Sequence, residues 1–127
     1  MNSPAGPFFE SYEENSEGYF LERASMEYYY SNYVSEPVDA RNEYLAPLLA
    51  EDLTDLPPAS VLTAGFDPLR DEGRAYADRL REAGVEVTHE EFDGQIHGFA
   101  SMTDQLDGAQ DALDFVGREL ASAFGTD

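Results

Sequence analysis

Between Ser60 and Phe92 the hydrophobic period of the chain changes twice, and that change limits the folds open to it. Ser60 to Ala64 is a short, mostly apolar run closed by Gly65, as a strand would be. From Asp71 to Ala83 the apolar residues Ala75, Tyr76, Leu80 and Ala83 recur at helical spacing. Gly84 then stands where a left-handed C-terminal cap belongs. Val85 to Phe92 alternates Val85, Val87 and Phe92 with polar neighbours, the pattern of a half-buried strand. Strand, helix and strand in this order predict a βαβ unit with parallel strands and a right-handed crossover, and so an α/β fold. In parallel sheets functional groups collect in the loops beyond the carboxyl ends of the strands. Asp67 follows the first strand and His97 the second, so the two side chains are expected at one edge of the sheet.

The flanking segments predict less. Residues 1 to 15, with Pro4, Gly6 and Pro7, read as an irregular opening segment anchored by Phe8, Phe9 and Tyr12. Residues 16 to 57 read as helix followed by loop. A helix is expected from Ser16 or Glu17 to Tyr33, with Leu21, Ala24, Ser25, Tyr28 and Tyr29 as its inward stripe. The run Tyr28-Tyr29-Tyr30 with Tyr33 suits a ligand platform, but the plainer reading is a helix packed on a larger body with its hydroxyls reaching water. Pro37, Pro47, Pro57 and Pro58 predict loop over 35 to 58, pinned by Leu45, Leu48, Leu49, Leu53 and Leu56. Residues 58 to 127 hold the βαβ unit and a last helix from Gln105 to Phe124. Ala109, Ala112, Leu113, Val116, Leu120 and Phe124 are its expected buried stripe. Two strands make a poor sheet, because parallel strands normally have neighbours beside them and helices on both faces. The 127 residues read as a single partial domain, one end of a larger α/β protein.

Charge excludes several partners. Twenty-seven acidic residues face seven basic ones, all Arg, for a formal net charge of −20. Such a chain repels a phosphate backbone, so nucleic acid is not an expected partner. The acids are interleaved with periodic apolar residues, which argues against a disordered tail, and no calcium-loop spacing is present. In molar salt, self-repulsion is screened to within about 3 Å and an acidic surface keeps a protein soluble. The Lys-free acidic composition resembles that of proteins from salt-loving archaea. Cysteine is absent, which removes disulfides and thiolate metal sites. No apolar run approaches the roughly 20 residues of a membrane span, and the N-terminus lacks a signal-peptide pattern, so a cytoplasmic protein is expected.

An Asp and a His at adjacent strand ends suit proton transfer from a nucleophile. The carboxylate fixes the tautomer of the imidazole and stabilises its cation while the other ring nitrogen takes the proton. Asp before His fits the order Ser, Asp, His of α/β-hydrolases. Asp67-Pro68 reads equally well as a helix start, with the carboxylate capping amides and Pro at the first helical position. His97, between Ile96 and Gly98, also reads as a plain loop histidine. One Asp and one His are a thin metal site. His89, beside Glu90 and Glu91, reads as a solvated face residue, and Asp71 and Glu72 as first-turn acids suiting the helix dipole.

Asp67-Pro-Leu-Arg-Asp-Glu-Gly73, then Tyr76-Ala-Asp-Arg-Leu-Arg-Glu-Ala-Gly84, then His97-Gly-Phe99 resembles the C-terminal part of the hormone-sensitive-lipase family of α/β-hydrolase esterases. Leu56-Pro-Pro-Ala, Thr63-Ala-Gly-Phe-Asp, Tyr19-Phe-Leu and Ala46-Pro-Leu-Leu are similar to the family's preceding segments, so the resemblance covers roughly residues 12 to 124. It implies Asp67 as triad acid and His97 as triad base in a serine enzyme that cleaves short-chain carboxylic esters without cofactor or metal. The family's Gly-Asp-Ser-Ala-Gly-Gly elbow and His-Gly-Gly-Gly oxyanion loop do not occur in these residues. The expectation is a C-terminal fragment, inactive alone, that meets a small ester substrate only when an N-terminal half supplies the Ser and the oxyanion donors. The alternative is a non-catalytic module that binds another chain, one supplying the missing sheet, through its open sheet edge.

Overall fold

In a computed structural model of the chain, residues 9–34, 36 and 42–126 are described. The expectations at Pro4, Gly6, Pro7, Phe8 and Pro37 lie outside them.

The βαβ unit is present and its strands are parallel. β1 spans Ala59–Phe66 and β2 spans Val87–Ile96, joined by a helix over Arg70–Glu82. Numbered along the chain, that helix is α3, after α1 (Ser11–Glu14) and α2 (Arg23–Tyr33), and α4 covers Asp107–Phe124. Both strands run further toward their carboxyl ends than the sequence pattern marks. Val85 is no part of β2. It lies in the turn that closes α3, where Gly84 takes φ +87°. The Val85 N–H donates to the Leu80 carbonyl at 3.0 Å and Gly84 N–H to Arg81 at 2.9 Å. That is the double bond pattern of a Schellman cap, sealed by contact of Val85 with Leu80.

The helices cover both faces of the two-stranded sheet. On one side Leu80 and Val85 pack with Ala50, Leu53 and the partly buried Ala59, Tyr76 and Val87. On the other, Ala112 of α4 meets Ala64, Phe99 and the partly buried Leu62, Phe92 and Ile96. Gly73 lets α3 approach β1 closely, since a Cβ there would sit 2.8 Å from the Thr63 methyl. Between α2 and β1 the described residues include the 3-10 turn Pro47–Leu49. Arg79 holds that segment by donating to the carbonyls of Leu48 and Ala50.

The register carries an irregularity that decides where the strands end. Residues of β1 pair 28 positions ahead as far as Ala64 with Phe92, but Phe66 pairs with Ile96, 30 positions ahead. Asp93, Gly94 and Gln95 bulge out where Gly65 alone lies opposite. The backbones come so close there that a Cβ on Gly65 would lie 2.0 Å from the Asp93 carbonyl oxygen.

Four further expectations need correction. The opening segment holds the helical turn α1, whose Ser11 and Tyr12 are buried. The second helix begins at Arg23, six or seven residues later than the pattern suggests, because Gly18 (φ +85°) and Phe20 (φ +62°) both take left-handed backbone. Its inward stripe is also different: Leu21 lies outside the helix, Ala24, Tyr28 and Tyr29 are exposed, and Met26 is the buried residue. In α4 the buried positions are Ala109, Ala112 and Phe115, while Leu113, Leu120 and Phe124 stand exposed.

Candidate active site

Because Phe66 and Ile96 are register partners, the next residues of each strand, Asp67 and His97, leave the sheet side by side. His97 Nδ1 lies 2.8 Å from Asp67 Oδ2. Gly98, at φ +74°, then turns the chain away into the short 3-10 helix Phe99–Ser101. Asp67 is 9% exposed, so its carboxylate is largely shielded from water that would compete for the imidazole. With the carboxylate ionised, Nδ1 must donate, which fixes the ring as an Nε2 acceptor. Nε2 has no hydrogen-bond partner among the described residues.

The capping alternative for Asp67 proves half right. α3 begins at Arg70 with Leu69 as its N-cap, so Asp67 is not the cap. Its Oδ1 nevertheless accepts the Leu69 N–H at 2.9 Å, a local turn that holds the carboxylate plane. One oxygen is thus spent on the loop and the other on His97.

Around this pair the polar groups are tied together. Asp71 accepts from the Ser11 N–H at 2.9 Å and from Arg70 at 2.8 Å and Arg74 at 2.9 Å. Burial works against its charge, but these hydrogen bonds and the two guanidinium charges hold its carboxyl below the usual range. Glu91 is held low first by its hydrogen bond to Arg74, against burial, and also by Thr63. Tyr12 donates to Glu72, and burial followed by that carboxylate pushes the phenol well above its usual value. Asp71 and Glu72 do stand in the first turn of α3, as expected for the dipole, but they also bind α1. His89 is not a freely solvated residue: it is half-buried with Nε2 2.9 Å from the Thr63 hydroxyl, because its strand face looks at α3.

Two cavities open at His97. One, of about 530 Å³, runs along β1 beneath α3 past Leu62, Asp67, Gly73 and Tyr76. The other, of about 520 Å³, lies against α2 and is lined by Leu21, Met26, Tyr29, Tyr30 and Tyr33. The tyrosine run therefore has one side on a groove that reaches His97, although Tyr29 and Tyr33 remain mostly exposed. Among the described residues no three of His, Cys, Asp or Glu group as metal ligands would, and no helix is long and apolar enough to cross a membrane.

A family model described as the alpha/beta hydrolase fold matches residues 2–101. This chain belongs to the alpha/beta-hydrolase family. It is 45% identical over 83 residues to the arylesterase of Saccharolobus solfataricus, covering 65% of this chain and 27% of that protein. The carboxylic ester hydrolase LipN of Mycobacterium tuberculosis is 41% identical over 86 residues, 67% of this chain and 23% of LipN. Among solved structures, the ester-hydrolase EH1AB1 from the metagenome of Lake Arreo matches with a TM-score of 0.90 at 48% identity, over 96% of this chain and 39% of that one. The chain thus spans about a quarter of the length of these two curated relatives and about two-fifths of the solved chain. Its relatives are carboxylic ester hydrolases.

The sequence pointed to Asp67 and His97, and the structure brings them together. Sequence reasoning missed Ser11 and Asn15, whose side chains reach the Asp67 loop. No sequence signal marked them, because their spacing of four matters only once α1 is known to be a helical turn.

Proposed function

We propose that this chain carries the acid and base of a serine carboxylic ester hydrolase, with Asp67 orienting His97 and His97 Nε2 taking the proton of a serine hydroxyl. The observation that carries this reading is the 2.8 Å contact between His97 Nδ1 and the buried Asp67, at the mouth of two cavities. The nucleophile and the oxyanion donors come from polypeptide outside these 127 residues, in the same or a second chain. Support comes from the absence of a Gly-x-Ser-x-Gly elbow in the sequence and from the fraction of each relative that the chain spans. In the completed enzyme the serine attacks the ester carbonyl, His97 passes its proton to the leaving alcohol, and water reverses the sequence. The substrate is a small carboxylic ester, with Tyr29, Tyr30 and Tyr33 forming part of the wall against it. No cofactor enters this scheme.

A second reading is a binding module without turnover. It is favoured by Phe66, Leu113, Leu120 and Phe124, apolar side chains 41 to 75% exposed around a sheet of only two strands. Hydrolysis of a short-chain p-nitrophenyl ester in molar KCl separates the two. The isolated chain should be folded and inactive. A chimera in which it replaces the matching segment of the Lake Arreo ester-hydrolase should turn over. A folded but inactive chimera would favour the binding module. The acidic, Lys-free surface supports a salt-adapted protein, whose melting temperature should rise from dilute buffer to molar KCl. A melting temperature indifferent to salt would remove that reading.

A further inference from the structure

The loop that carries Asp67 turns three backbone carbonyls, those of Gly65, Asp67 and Pro68, toward α1. The hydroxyl of Ser11 donates to the Pro68 carbonyl at 2.7 Å. The side-chain amide of Asn15 donates to the Asp67 carbonyl at 3.2 Å and makes a longer contact of 3.5 Å with that of Gly65. Both side chains are nearly inaccessible, 0% exposed at Ser11 and 3% at Asn15. Four residues apart, they lie on one face of a single helical turn. A buried carbonyl left without a donor is costly, so these bonds resist any rotation of the loop backbone between residues 65 and 68. Rotation there would swing the Asp67 carboxylate away from Nδ1.

α1 is too short to be stable by itself, and its outer side is fastened as well. Tyr12 donates to Glu72 and the Ser11 N–H to Asp71, both in the first turn of α3. Glu14 pairs with Arg70 at 2.7 Å, and Arg70 in turn donates to the Gly65 carbonyl at 3.1 Å. The turn is therefore clamped to both ends of the loop that presents the acid.

We propose that Asn15, assisted by Ser11, is a positioning residue that sets the Asp67 carboxylate and through it the tautomer of His97. The inference rests on the Asp67–His97 pairing described above. A displaced carboxylate would release the ring to exchange its proton to Nε2, and an Nε2–H imidazole cannot accept a proton from a nucleophile.

The test uses the chain itself, labelled with nitrogen-15, in molar KCl at a pH where imidazole is neutral. It contains two histidines, and His89, against Thr63, serves as the internal control. Two-bond proton–nitrogen couplings report each ring's tautomer. His97 should be a single Nδ1–H form in the wild type and a mixture in Asp67→Asn. Asn15→Leu, close in size but without a donor, should lose the single-tautomer signature at His97, with His89 and the circular dichroism spectrum unchanged. Asn15→Gln, which keeps the amide, should restore it in part. Ser11→Ala should give a smaller loss of the same kind, and it decides the matter alone if Asn15→Leu does not fold. Asn15→Leu and Ser11→Ala that both keep the wild-type tautomer, while Asp67→Asn changes it, would overturn the positioning role. An Asp67→Asn variant that leaves His97 unchanged would instead overturn the pairing beneath it.

Discussion

The Asp67 loop and the outer face of α4 are built from the same chain on opposite terms. Around Asp67, the carbonyls of Gly65, Asp67 and Pro68 and the carboxylate of Asp71 are matched by Ser11, Asn15, Arg70 and Arg74, and the strand register itself delivers His97. On α4, Leu113, Leu120 and Phe124 are 44, 50 and 75% exposed, with apolar side chains turned in large part to solvent. In this contrast the Asp67–His97 contact is organised by local hydrogen bonds and by the register of the two strands that carry it. Exposed apolar side chains in a row make a surface suited to contact with another layer or chain.

Breaking the ordered region should have the largest effect. Gly65→Val places a side chain where the Asp93 carbonyl already lies within 2.0 Å of a Cβ. Neither backbone can yield without opening the sheet at its bulge. A loss on the order of 3 kcal/mol is expected in urea unfolding monitored in molar KCl. Unchanged stability would mean that the strands do not approach as described.

Next comes a matched pair of core and face. Leu80→Ala, in the cluster sealed by Val85, should cost about 2–5 kcal/mol. Leu120→Ser, on the bare face of α4, should change stability by no more than about 0.5 kcal/mol. Equal losses at the two positions would erase the contrast.

The smallest effect concerns pH. Glu91 is held below the usual carboxylate range by Arg74. A carboxyl depressed in the folded state contributes stability above its unfolded value of about 4.3, and that contribution is lost as pH falls through the folded value. Glu91→Gln should therefore flatten the decline of stability on acidification in molar KCl. Molar salt matters because, in dilute buffer, protonation also relieves the repulsion of a −20 chain and acts with the opposite sign. A slope identical to that of the wild type would show the Arg74 pair to be idle.

How far the sequence was legible follows the same divide. The period change from strand to helix to strand, Gly84 at its cap, and Asp67 and His97 beyond the strand ends were all visible, because each is a local pattern with a physical cause. The bulge that aligns Asp67 with His97 was missed, because the alternating pattern stops at Phe92 and the bulged residues 93 to 95 lie beyond it. α1 left no periodic trace, since four residues hold helical form only through Ser11, Tyr12 and Asn15 bonding to residues 50 to 60 positions away. In α4 Ala109 and Ala112 were placed in the interior correctly, but Leu113, Leu120 and Phe124 were assigned there too and the buried Phe115 was left out. Periodicity shows which side is apolar and not whether anything covers it.

The proposal that Asp67 and His97 are the acid and base of an ester hydrolase is open to a single assay. It is the p-nitrophenyl ester turnover of the chimera described above, with and without His97→Ala. His97→Ala should lower kcat by at least about a thousandfold, with the fold intact by circular dichroism. A His97→Ala chimera that keeps its turnover would take His97 out of the reaction and the Asp67 pairing with it.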